Sequence, residues 1–85
     1  PQDAELEEII LGSCLIESKA ITLIADILRP EAFYNEKNLE IYATLQSMYR
    51  NGQKIDIITV KEELARRGKL EFIGGPYTLA HISGV

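Results

Sequence analysis

The clearest pattern in this chain lies in "EKNLEIYATLQSMYRNG". Ile41, Tyr42, Leu45, Met48 and Tyr49 fall at i, i+1, i+4, i+7 and i+8 there, a stripe with the period of an α-helix. Arg50 suits the C-terminal end of that helix, and Asn51-Gly52 stops it. Upstream, Asp3 is a candidate N-cap for "AELEEIILGSCLI". Leu6, Ile9 and Ile10 lie on one side of that helix, with Leu11, Cys14 and Leu15 nearby. Glu5, Glu7 and Glu8 occupy its first turns, where the helix dipole favours acids. Gly12 costs about 1 kcal/mol in a helix interior, which points to a close helix contact.

Ser18 is a candidate cap for "KAITLIADIL", whose apolar density predicts a nearly buried helix. It ends at Arg29-Pro30, because a residue before proline avoids helical angles. A connector, "EAFYNEKN", follows, with Phe33 and Tyr34 expected to pin it to the core. "IDIITV" is β-branched and reads as a strand. Asp56 as N-cap, the shared face of Ile57, Val60 and Leu64, and the i,i+4 pairs Glu62–Arg66 and Glu63–Arg67 favour a helix from about Ile57 to Arg67, stopped by Gly68. In "LEFIGG", Leu70, Phe72 and Ile73 are expected to tuck inward. Pro76 then opens a short last helix, "YTLAHIS", at the position where a missing amide does no harm. The predicted fold is all-α, a compact orthogonal bundle of about five short helices with no sheet and no internal repeat.

Candidate chemistry adds little to this scaffold. Gly74-Gly75 is followed by Pro-Tyr rather than the Lys-Ser/Thr of a phosphate loop, and no strand and third glycine make a dinucleotide fingerprint. It reads as a turn and helix start. Glu7-Glu8 and Glu62-Glu63 are neighbours about 100° apart around a helix and read as solvated faces. One cysteine, Cys14, and one histidine, His81, assemble neither a metal set nor a catalytic pair. Cys14 reads as core and His81 as a surface contact. Tyr42 and Tyr49 lie on the core stripe, whereas Tyr34 and Tyr77 are freer.

With 85 residues the chain makes one small domain, and its apolar (46%) and charged (26%) fractions are those of a globular one. The net charge of −4, with no basic run longer than Arg66-Arg67, argues against tight duplex binding. A lone cysteine fits a reducing compartment, and no apolar run is long enough to span a membrane, so the reading is cytoplasmic. A start at Pro1 without an initiator Met suggests a domain excised from something longer.

The ordered series carries more than any single motif. "PQDAELEEIILGSCL" is followed by Phe33-Tyr34, an Ile-Tyr helix, a Gly ahead of Ile55-Asp56, a Thr-Val helix, and Leu70-Glu71 before Gly74-Gly75. Across essentially the whole chain this resembles the N-terminal domain of DnaB-type replicative helicases. Two positions depart: Asn38 stands where relatives often carry histidine, and Tyr77 comes one place early after the double glycine. The resemblance implies a non-catalytic collar domain of a hexameric, ATP-driven helicase at the bacterial replication fork. Its partners would be helicase protomers, paired as dimers within the hexamer, and primase. DNA would be met only through the full-length hexamer. No cofactor is expected in this domain; ATP and Mg2+ would belong to a RecA-like C-terminal domain outside it. Glu5 matches the family's Pro-Gln-x-x-Glu position and is the partner-interface candidate, against its reading as a dipole-stabilising acid. Two alternatives stay open: the helicase-binding domain of primase, and a helix-turn-helix DNA reader. The reading helix of the latter, "YTLAHIS", lacks Lys, Arg, Asn and Gln for base edges.

Overall fold

The computed structural model describes residues 3–84; the Pro1-Gln2 pair that opens the family-like series lies outside them. Five α-helices follow one another: α1 (Ala4–Ile16), α2 (Lys19–Ile24), α3 (Glu36–Arg50), α4 (Ile57–Arg66) and α5 (Pro76–Ser83). A 3-10 turn, Pro30–Ala32, lies between α2 and α3, and no strand occurs among the described residues. The predicted all-α bundle is therefore the observed one. α3 is its axis, packing against α1, α2, α4 and the 3-10 turn, while α5 closes the other side against α1 and α4. The stripe on α3 is the reason: Ile41, Tyr42, Leu45 and Met48 are all buried, and Tyr49 is half-buried at the edge.

The caps fall largely where the sequence puts them. The Asp3 carboxylate accepts from the Leu6 amide at 3.0 Å. Asp56 and Thr59 form a reciprocal capping box, with bonds of 2.8 and 2.9 Å. That box settles "IDIITV" as the start of a helix, because it satisfies amides that a strand would have to pair elsewhere. Gly12 faces α5. A β-carbon there would lie 3.2 Å from the carbonyl carbon of Ile82 and well inside contact with its oxygen, so the glycine sets the α1–α5 approach. Gly74 and Gly75 have φ of 108° and 81°, and a β-carbon on Gly74 would collide with the Thr78 hydroxyl. The double glycine is a turn that only glycine makes comfortably.

Three expectations are corrected. First, α2 is short, and it and the turn after it are mostly uncovered: Leu23 on the helix is 76% and Ile27 in the turn 79% exposed. Its main packing is against α1 and α3, so one narrow side, Ile21 with the C-cap Ala25, is buried. Ser18 is itself helical and makes no side-chain cap; the Glu17 carboxylate accepts from the Lys19 amide instead. The far end is held by polar side chains of α3. The Gln46 amide donates to the Ala25 carbonyl at 2.9 Å and the Tyr42 hydroxyl to that of Leu28 at 2.7 Å. Second, Ile73 is buried and Leu70 half-buried, but Phe72 is exposed, with the Lys69 ammonium 5.6 Å from its ring centroid.

Third, Glu63 is no solvated acid. It is only 6% exposed and accepts from both Arg66 and Arg67. Arg66 is thereby drawn to Glu63 rather than to Glu62, the partner its spacing suggested. The hydrogen bonds from Arg66 and then Arg67 hold the Glu63 carboxyl down from 4.5 to about 2, against the opposing effect of burial. A folded-state value below the unfolded one stabilises fully above the unfolded pKa and is lost as pH falls through the folded one. Urea midpoints should therefore decline as the pH drops from about 4.5 towards 2. Glu63→Gln should flatten that decline without abolishing it, because the bonds capping Asp56 also lower its pKa. A decline equally steep in Glu63→Gln would show that the pair contributes nothing.

Candidate functional site

The nucleophile and the base candidates sit apart. Cys14 is fully buried, and burial pushes its thiol up to about 11, so it stays protonated and inert at neutral pH. His81 is on the outer side of α5, its ring stacked on Tyr77 with centroids 6.1 Å apart and its Nε2 4.0 Å from the Glu8 carboxylate. Among the described residues no group of three or more His, Cys, Asp or Glu side chains is placed to hold a metal ion. Among the same residues no helix is long and apolar enough to cross a membrane.

Exposed apolar side chains are the more informative feature. Leu6, Ile9 and Ile16 share the outer face of α1, and Ile16 is 69% exposed. Helix α2, packed beside α1, adds Leu23, and the turn after it adds Ile27. Large apolar side chains left in water on adjoining segments cost solvation and make this surface a candidate for contact with another protein. The sequence pattern missed this because it counted apolar residues without knowing how many neighbours α2 would have.

An open groove of about 410 Å3 runs along the N-terminal half of α1. Leu6, Ile10, Leu28 and Phe33 form its apolar floor, and Asp3, Glu7 and Glu31 its rim. The opposite wall carries Tyr34, which is exposed rather than pinned to the core as expected. Phe33 is the pin, stacked on Tyr42 with centroids 4.8 Å apart.

Glu5, the sequence candidate, is exposed in the first turn of α1. The acid with a defined task is Glu7. Its carboxylate accepts from the Tyr34 amide at 2.7 Å, the Asn35 amide at 3.3 Å and the Asn38 side-chain amide at 3.0 Å. Asn35 in turn caps α3 by accepting from the amides of Lys37 and Asn38. Glu7 therefore ties α1 to the start of α3, and Asn38 is buried as one of its donors. No local signal in the sequence foretold this, since the partners lie 27 to 31 residues away.

Comparison with known proteins places this architecture. The family model for the DnaB-like helicase N terminal domain matches residues 1–85. The replicative DNA helicase DnaB of Rhodothermus marinus is 39% identical over 83 residues, covering 98% of this chain and 9% of that protein. The replicative DNA helicase DnaC of Bacillus subtilis (strain 168) is 34% identical over 83 residues, covering 98% and 18%. The chain thus spans between 9% and 18% of the length of these relatives. The crystal structure of the N-terminal domain of DnaB helicase from Mycobacterium tuberculosis superposes with a TM-score of 0.94 at 36% identity, over 99% of this chain and 61% of that one. With the all-α bundle, the ordered motifs and these matches in agreement, the chain belongs to the DnaB-like helicase N-terminal domain family.

Proposed function

We propose that this chain is the assembly and primase-docking domain of a replicative DNA helicase, and that it acts at the replication fork without catalysing a reaction itself. Residues 1–85 form one domain of the parent protein on this reading. ATP and Mg2+ are used by a RecA-like domain elsewhere in that protein, in the cytoplasm, and DNA is engaged by the full-length hexamer. The observation that carries the reading is the exposed apolar surface of α1, α2 and the turn after α2, where Ile16, Leu23 and Ile27 are 69%, 76% and 79% exposed. It is joined to a family whose curated relatives are replicative DNA helicases. A domain that pairs with copies of itself and with primase needs such a face, and a small apolar patch suffices for a transient contact. Glu5, exposed at one end of the same helix, is a rim residue of that contact on this reading.

The test uses the full-length parent protein. Replacing Ile16, Leu23 and Ile27 together by glutamate should weaken primase binding or hexamer pairing at least about tenfold, as loss of two or more buried anchors does. ATP hydrolysis by the parent should persist. Size-exclusion chromatography with light scattering reads the assembly, and surface-immobilised primase reads the docking. A triple variant that assembles and binds primase like the wild type sinks the proposal, as does ATP turnover by the purified 85-residue chain.

A further inference from the structure

From the groove along α1 we infer a second docking site, the seat of a basic amphipathic helix supplied by a different protein. Its floor is apolar and includes exposed Leu6. It is open along its length, which suits a row of side chains on a helix rather than an enclosed small molecule. Leu6 and Ile10 stand one turn apart, so anchors spaced one turn on an incoming helix meet them in register.

Charge selects the partner. Asp3, Glu7 and Glu31 rim the groove, and no Lys or Arg lines it. Asp3 and Glu7 accept backbone amides, and Glu31 makes no ion pair among the described residues. Basic residues flanking the apolar anchors would meet this rim favourably. Exposed Tyr34 on the far wall offers a ring face to an arginine or lysine. A second copy of this chain fits poorly. Its α1 carries Glu5, Glu7 and Glu8, the net charge is −4, and its only basic pair, Arg66-Arg67, is already engaged by Glu63. The groove is also preformed, because the Glu7 carboxylate fixes the Tyr34 and Asn35 amides and hence the wall opposite α1. Preformed walls spare the cost of ordering on binding.

The site rests on the docking role proposed above only in that both place a protein partner beside α1. The experiment reads the groove alone: a parent protein that fails to bind primase overturns that role and leaves this site standing. The probe is a fluorescent helical peptide of roughly 18 residues, above the ~12–15 below which an isolated helix is marginal, with leucines on one face and lysines or arginines flanking them. A twin carries glutamate at every basic position. The basic peptide should bind the 85-residue chain by fluorescence anisotropy, and the acidic twin should not. Leu6→Gln should weaken binding about tenfold, as removal of an anchor does. Glu31→Lys should weaken it about fivefold at low salt and less at ~1 M, where the Debye length is ~3 Å. Both side chains are exposed, so circular dichroism should report an unchanged fold. Equal binding of the two peptides, or full affinity in Leu6→Gln, overturns the inference. So does a chain that ignores both peptides but forms a dimer that Leu6→Gln dissociates, which assigns the groove to a second copy.

Discussion

Tyr42→Ala should strip this domain of a large share of its folding stability. The side chain is fully buried on α3, with its ring stacked on Phe33 and its hydroxyl donating to the Leu28 carbonyl. Truncating a large buried aromatic costs about 3–5 kcal/mol. A chain of this size has about 4–13 kcal/mol of stability in all, at roughly 0.05–0.15 kcal/mol per residue. The loss thus takes a large share of the whole. Tyr42→Phe separates the two contributions. It keeps the ring and removes one donor, so it should cost about 1–3 kcal/mol, the range for a buried acceptor left short of a partner. The Gln46 amide, 3.4 Å from the same carbonyl, places the result at the lower end. Urea unfolding followed by circular dichroism gives both values. A Tyr42→Ala variant within about 1 kcal/mol of wild type would mean that the ring is not the keystone of this core.

Gly12→Ala sets two effects of opposite sign against each other. Helix propensity alone favours alanine by about 1 kcal/mol in a helix interior. The backbone of α5 opposes it, because the new methyl group would overlap the Ile82 carbonyl oxygen. That neighbour is main chain within a helix and cannot rotate aside, so α1 and α5 must separate. Overpacking of this kind costs about 1–3 kcal/mol, and separation also loosens Leu79, Ile82 and Leu11 at the same contact. The variant should therefore be less stable than wild type. Gly12→Leu should be worse by several kcal/mol, a large share of the stability of a domain this small. Thermal melts are a sufficient test, since about 1 kcal/mol shifts the midpoint by about 4–8 °C at this length. A higher melting temperature for Gly12→Ala would show that propensity wins and that the close approach is not required.

Both results bear on function through the same geometry. The contacts of α1 with α5 and α3 fix the orientation of its outer face, on which Leu6, Ile9 and Ile16 are presented. The Glu7 carboxylate then fixes the wall opposite that helix. The surface proposed for partners is thus set by residues that would not touch them.

Much of this was legible in the chain. The stripe on α3, the Asp56 cap, the turn at Gly74-Gly75 and the cost of Gly12 each rest on local rules, because the deciding interactions lie within about one helical turn. The ordered motifs were enough to point to the family that the comparisons bear out. The failures share a cause. Leu23, Ile27 and Phe72 are as apolar as the residues that are buried, and only the number of elements packed around them decides their fate. Glu7 and Glu63 resemble other helical acids in sequence. One is made a clamp by amides 27 to 31 residues away, and the other is lowered in pKa by two arginines while being screened from solvent.

The sequence by itself determined where α1, α3, α4 and α5 begin and end, which side of α3 faces inward, and that Gly74-Gly75 does not open a phosphate loop. Those properties depend on backbone geometry and residue type a few positions apart. Only the tertiary structure decided which apolar side chains remain in water, that Glu7 rather than Glu5 joins two helices, and that an acid-rimmed groove opens along α1. Solvent exposure and long-range hydrogen bonding depend on which segments end up as neighbours, and that information is spread over the whole chain.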